Sequence, residues 1–257
     1  MTNDTTNVQI PDRSSAEQGQ GEYFFLTVNG RTEKVSFHDY DKIYSIPGLY
    51  EKLFYDRYKC NSPEVVCSLL EKNLEQSDLD SSELSVLDIG AGNGIVGEVL
   101  RKIGAENIVG LDIIEEAEEA AWRDRPEVYQ RYYTADLTQL SEKETYELTN
   151  TYFNCLTVVA ALGFEDIPPQ AFSAGYNFID SPGWFAFNIK EDFLENKSDS
   201  SGFSKLINEM MNDNLIDLKD KHLYRHRLCQ DGTPLNYYAV VAQKKDDVPE
   251  DMLQQFL

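Results

Sequence analysis

The chain has 257 residues, with 45 aspartates and glutamates against 23 lysines and arginines, a formal net charge of −22. At roughly 150 residues per domain, that length makes one large domain with appendages or two small ones. The acidic surplus argues against a nucleic-acid partner, because binding bare phosphate means neutralising it with lysine and arginine.

Residues 1–20 are polar and poor in large apolar groups, which predicts a disordered arm. Tyr23 to Val28, the pair Asn29-Gly30, and Arg31 to Phe37 then read as a hairpin, since a type I′ turn needs positive φ at both central positions. Residues 48–60 look like a short aromatic helix, and 21–60 together read as a hairpin-and-helix lid. Ser62-Pro63-Glu64 starts a longer helix with a cap, a first-turn proline and an early carboxylate. Val65, Val66, Leu69, Leu70 and Leu74 continue it at a helical period.

From residue 85 strands and helices alternate. Strands are predicted at 86–89, 108–113, 130–135, 153–159 and 184–189, with helical stretches between them. Alternation of this kind implies parallel βαβ units. A helix near 203–212 precedes two strand-like runs, 221–229 and 235–243, which form an antiparallel hairpin around Asp231-Gly232. The expected architecture is a Rossmann-like α/β domain over 61–245. It has a seven-stranded sheet, six strands parallel and the last antiparallel. Residues 246–257 form an acidic, loosely held tail.

Cys60, Cys67, Cys155 and Cys229 show no C-x-x-C spacing, which suits reduced thiols in a cytoplasmic protein better than a disulfide framework or a metal site. The first residues show neither a basic start nor an apolar run, and no stretch nears the roughly 18 apolar residues of a membrane span, so no membrane partner is expected.

The first strand ends in Asp88-Ile89-Gly90-Ala91-Gly92-Asn93-Gly94. Three alternating glycines exceed what a tight turn needs, and they let a ligand approach the main chain with no Cβ in the way. In an open α/β sheet this turn is the expected ligand crevice. Gly92 to Gly97 also fits G-x-G-x-x-G with Asp112 twenty residues on, the pattern of a nicotinamide-dinucleotide oxidoreductase. Asp88 opposes that reading, because a carboxylate there would repel a pyrophosphate and suits an ammonium or sulfonium.

Taken with Gly110-Leu111-Asp112-Ile113 and Ala135-Asp136-Leu137, the loop resembles the class I S-adenosylmethionine-dependent methyltransferases, in the style of their bacterial small-molecule members. Asn154 stands where the fourth strand of that family often carries an acid. The resemblance implies that Gly90, Ala91, Gly92, Asn93 and Gly94 line the methionine half of S-adenosylmethionine, with Asp88 at its amino group. It implies Asp112 at the ribose hydroxyls and Ile113 on the adenine face. Asp136, between Ala135 and Leu137, would meet the adenine amino group, and Val159 and Ala160 would lie near the sulfonium. Asp88, Asp112 and Asp136 fall 24 residues apart, one βα unit per step, so all three rim one sheet edge. Any one alone reads equally as a helix cap.

Methyl transfer needs alignment and exclusion of water more than a dedicated base. Glu165, Tyr44 and Tyr55 are the candidate acceptor-side residues; Asp166, like Glu165, is placed to bind a cationic acceptor or take a proton, but reads more readily as a cap for the helix at Pro168. His38, His222 and His226 receive no role, since a lone histidine is more often surface or core. No N-P-P-Y, D-P-P-Y or Pro-Cys follows the fourth strand, which disfavours methylation of nucleic-acid bases. The expectation is a small-molecule acceptor. A catalytically silent sensor or protein-interaction module that only binds S-adenosylmethionine is the alternative.

Overall fold

The computed structural model describes residues 6–11, 21–162, 166–195 and 201–253. Its large sheet holds β4 (Ser85–Ile89), β5 (Asn107–Asp112), β6 (Arg131–Thr134), β7 (Phe153–Leu162), β8 (Ile179–Lys190), β9 (Ile216–Leu228) and β10 (Pro234–Lys244). They lie in the order β6-β5-β4-β7-β8-β10-β9. From β6 to β8 every neighbour is parallel. β10 is antiparallel to both β8 and β9, so six strands run one way and one the other, as the sequence predicts.

Buried strands place consecutive residues on opposite faces. Leu87, Ile89, Leu156, Phe185 and Phe187 pack against α7 (Pro169–Asn177) and α9 (Phe203–Asn212) through Phe172, Tyr176, Phe203 and Leu206. Val86, Cys155, Ala186 and Val241 face the other way, toward Val66, Leu70, Val99 and Leu100 of α3 (Ser62–Leu74) and α4 (Ile95–Lys102). Each large apolar side chain so buried contributes roughly 1.5–3 kcal/mol. The remaining helices are α5 (Glu115–Asp124), α6 (Glu142–Thr149), α8 (Glu191–Glu195) and α10 (Glu250–Leu253). Among the described residues no helix is long and apolar enough to cross a membrane.

A second, antiparallel sheet has the order β1-β2-β3, from β1 (Thr6–Gln9), β2 (Tyr23–Val28) and β3 (Arg31–Ser36). Asn29 and Gly30 turn at φ 51° and 79°, as the hairpin requires. Strand β1 corrects the expectation of a disordered arm for residues 6–9, which pair with Phe25 to Val28. Phe24, Leu26, Val35 and Phe37 form the inner face. They pack on α1 (Tyr40–Ser45), on α2 (Leu49–Glu51) and on a π-helical turn, Lys52–Arg57, that continues α2.

Two local expectations are corrected. Helix α3 has Asn61 at its N-cap, not Ser62. The Ser62 hydroxyl is buried and joins a hydrogen-bonded chain through Tyr224 (2.7 Å), Asn188 (3.1 Å) and His226 Nδ1 (2.6 Å). The tail is docked through residue 253, because Val248 and Met252 are buried and Asn177 holds both polar backbone groups of Val248, at 2.9 and 2.8 Å.

Candidate active site

Strand β4 lies between β5 and β7, so the chain leaves it in opposite directions on either side. The carboxyl end of β4 is therefore the crevice where open α/β sheets bind ligands. Gly90 turns there at φ 67°, and a Cβ on it would lie 2.7 Å from the Cβ of Ala161. The backbone N–H groups of Gly90 and Ala91 both donate to the Leu111 carbonyl, at 2.9 and 3.2 Å, which fixes the loop to β5.

Asp88 does not reach the crevice. Its carboxylate is buried beneath the loop and accepts from the Tyr129 and Thr157 hydroxyls, each at 2.7 Å. Burial pushes its pKa up to about 7, against the downward pull of those two hydrogen bonds. This corrects the placement of Asp88 at a ligand ammonium.

Above the loop is a cavity of about 270 Å³. Gly90, Asp112, Ile113, Ala135, Asp136, Leu137, Val159 and Ala160 line it; Ala91, Gly92, Asn93 and Gly94 do not. Tyr44 explains the exclusion of Gly92, because its hydroxyl stands where a Cβ on that glycine would be. Asn93 is buried, and its side chain donates to Glu51 at 3.2 Å. Arg125 ties the same loop down through the Asn93 carbonyl (3.2 Å), Glu51 (2.8 Å) and Glu98 (2.8 Å).

Asp112 ends β5 with both oxygens engaged, by Gly92 N–H at 3.0 Å and Ile114 N–H at 3.2 Å. Burial raises its pKa, and those backbone donors oppose the rise. The next residue, Ile113, is 61% exposed, an unusual state for a large aliphatic group at the mouth of a crevice. Asp136 caps its own turn by accepting from the Thr138 N–H at 2.8 Å. Asn154 serves as a strand tie away from the crevice, accepting from Ser85 N–H at 2.8 Å.

A second cavity, about 30 Å³, adjoins the first. His38, Tyr40, Tyr50, Ala160 and Asp166 belong to both walls. Phe37, Phe54, His226 and Tyr237 complete an aromatic enclosure under the N-terminal sheet. Ala160 sits at the junction with φ 59°, held by its N–H donating to Asn188 at 2.6 Å. Asp166 does not cap α7, whose N-cap is Pro168; its carboxylate lies 3.3 Å from His38 Nδ1. Tyr44 lines the larger cavity, whereas Tyr55 is on neither wall. Glu165 lies outside the described residues. His38, His226 and Tyr237 received no role from the sequence, because no spacing links a lid residue to β9 and β10, and only the fold brings the three to one cavity wall.

Residues 87–187 match the family described as methyltransferase domain. The chain carries a class I methyltransferase domain. S-adenosylmethionine is the cofactor of this methyltransferase. No curated protein matches its sequence. Among solved structures the methyltransferase is similar to the N-methyltransferase NodS from Bradyrhizobium japonicum in complex with S-adenosyl-L-homocysteine. The two are 12% identical, with 82% of this chain and 98% of that chain covered and a TM-score of 0.56. A second similar structure is an S-adenosylmethionine-dependent methyltransferase from Clostridium acetobutylicum, at 14% identity, 77% and 97% coverage and a TM-score of 0.52. At these identities the likeness is one of fold.

Proposed function

We propose that this methyltransferase acts on a small molecule enclosed beneath its N-terminal lid. The observation that carries the reading is the second cavity. It shares His38, Tyr40, Tyr50, Ala160 and Asp166 with the larger one, and lid residues form much of its wall. Its aromatic walls suit a small flat molecule, and the net charge of −22 opposes RNA.

The larger cavity suits S-adenosylmethionine. Carboxylate oxygens are acceptors only, so Asp112 fits a ribose diol. The exposed Ile113 side chain offers an apolar face to adenine, and Asp136 with the Leu137 N–H offers an acceptor and a donor to its edge. Gly90 allows the methionine half to pass close to the main chain, with Val159 and Ala160 nearest the sulfur. Asp88, Ala91, Gly92, Asn93 and Gly94 shape the loop from below.

When bound, the cofactor supplies a methyl group on a positively charged sulfur. The protein's share of the work is alignment and drying. Ala160 fixes where the two cavities meet, and Tyr40, Tyr44 and Tyr50 exclude water from the junction. Holding acceptor and donor in line removes much of the entropic barrier of a bimolecular displacement.

The test is incubation of the purified chain with methyl-labelled S-adenosylmethionine and a cell extract separated into small-molecule, protein and RNA fractions. Label in the small-molecule fraction supports the reading. Label confined to protein or RNA overturns the acceptor class. Tight S-adenosylhomocysteine binding with no transfer to any fraction favours the silent binding module.

A further inference from the structure

We propose that His226 sets acceptor specificity: its ring holds a proton on Nε2 and donates it, as a hydrogen bond, to an uncharged carbonyl oxygen on the methyl acceptor. This rests on the reading just given and names the group by which the acceptor is recognised. Two observations carry it. One is a buried hydrogen-bond network, from Ala160 to His226, whose protons can be counted. The other is the place of His226 in the wall of the second cavity.

The count starts at Ala160. A backbone N–H only donates, so its 2.6 Å contact makes Oδ1 of Asn188 the acceptor and leaves Nδ2 to donate twice. Those protons go to the Tyr224 hydroxyl at 2.7 Å and the Ser62 hydroxyl at 3.1 Å. Tyr224 passes its own proton to Ser62 at 2.7 Å. Ser62 Oγ now accepts twice, which fills both lone pairs. Its proton is left for its remaining neighbour, His226 Nδ1 at 2.6 Å, so Nδ1 is an acceptor. A proton on Nδ1 would instead turn Ser62 toward Tyr224 and strand the Tyr224 proton in a buried site.

Burial and the neighbouring Arg227 hold the His226 ring well below its ordinary pKa, so it carries one proton, on Nε2. The residue is 7% exposed and stacks on Tyr237 with centroids 4.2 Å apart, which fixes the ring plane. Both hydrogen-bond contacts of the ring among the described residues, with Ser62 and with Cys60 Sγ at 3.9 Å, are at Nδ1. Nε2 lies across the ring from them. The cavity selects what that donor meets. Asp166 on the same wall repels a carboxylate, and Arg227 is committed to Glu22 at 2.6 Å. An uncharged carbonyl oxygen accepts and brings no proton of its own to leave unpaired among the rings. A molecule without it leaves Nε2–H buried and unsatisfied. Because Asn188 also holds Ala160, one network registers the donor to the methyl junction.

The first experiment needs no ligand. The histidine ring nitrogens of the 15N-labelled wild type are read by NMR at neutral pH, with His226 assigned by its loss in His226→Gln. The expected result is a protonated, pyrrole-like Nε2 and a bare, pyridine-like Nδ1. A proton on Nδ1, or one averaged over both nitrogens, overturns the proposal whatever the cofactor proves to be.

The second experiment tests recognition. Acetophenone and α-methylstyrene, in which a CH2 group replaces the carbonyl oxygen, are titrated into the S-adenosylhomocysteine complex. Acetophenone is expected to bind about tenfold tighter or more, the worth of one buried hydrogen bond. His226→Gln, which still offers a donor, keeps most of that ratio, and His226→Phe, which keeps only a ring, loses it. Equal affinities in the wild type, or a ratio undiminished in His226→Phe, overturn the proposal. Equal loss in both variants would show that the ring acts by packing alone. Failure of both probes to bind the complex overturns the acceptor class. Failure of S-adenosylhomocysteine itself to bind, measured first by calorimetry, would instead sink the underlying methyltransferase reading.

Discussion

Glu22 and Arg227, 205 residues apart, form an ion pair at 2.6 Å, with side chains 0% and 5% exposed. The other oxygen of Glu22 accepts from the Gln230 N–H, and Arg227 also donates to the Leu228 carbonyl at 2.9 Å. The pair pins the start of the lid hairpin to the end of β9. Removing one partner of a buried pair strands the other charge, at a cost of about 3–5 kcal/mol. Glu22→Gln is therefore expected to lower the urea midpoint substantially and to speed proteolysis within residues 21–60. Adding Arg227→Met to Glu22→Gln should recover part of the loss, which a double-mutant cycle measures.

Asp88 predicts a pH dependence of stability. Its pKa in the folded chain is about 7, against about 3.9 unfolded. Between those values the folded state holds a proton that the unfolded state has released. Stability contributed by Asp88 is thus complete below about pH 4, falls as pH rises toward 7, and is level above, a loss of a few kcal/mol. Asp88→Asn cannot ionise and keeps partners for both hydroxyls. Relative to wild type it should gain stability progressively from pH 4 to 7 in urea titrations. A difference independent of pH would show that Asp88 stays ionised.

Asp112 holds the loop and faces the cavity at once. Asp112→Ala frees the Gly92 and Ile114 N–H groups and removes the acceptor offered to the ribose. S-adenosylhomocysteine affinity should fall about 10- to 100-fold in calorimetry, the loss of one or two charge-assisted hydrogen bonds. An unchanged affinity would remove Asp112 from the cofactor site.

Ala160 is strained and Asn188 holds it. Asn188 accepts from the Ala160 N–H and donates to Ser62 and to Tyr224, at 3.1 and 2.7 Å. Asn188→Leu leaves three buried partners short and should cost about 1–3 kcal/mol or more. Ala160→Gly relieves a left-handed alanine and should raise the thermal midpoint, by an amount corresponding to up to about 1 kcal/mol. Both are read by thermal unfolding.

The sheet was legible because each of its elements is locally consistent. Alternating strand and helix periods, glycines after β4 and a turn between the last two runs all point one way. The cavity floor was legible for the same reason, since Asp112 ends β5 and Ala135 and Asp136 directly follow β6. The acceptor side was not. His38 and Asp166 carry no shared spacing, and only the lid's docking joins them. Asp88 misled because its type fits a ligand ammonium, whereas its position under the loop commits it to Tyr129 and Thr157. Thr6 to Gln9 looked unstructured because a short polar edge strand takes its order from its neighbour, not from its own composition.

The lid is attached to the last hairpin of the chain, through Arg227 and through Gln230, whose side chain donates to the Tyr23 carbonyl at 2.9 Å. During synthesis Glu22 leaves the ribosome 205 residues ahead of its anchor Arg227. The nascent chain therefore has its glycine loop and its tyrosines well before it has a closed site. Until β10 slots between β8 and β9, the lid's aromatic face has its own helices to rest on but lacks the wall that Arg227 and Tyr237 supply. A chain halted before residue 244 would leave the lid without that wall.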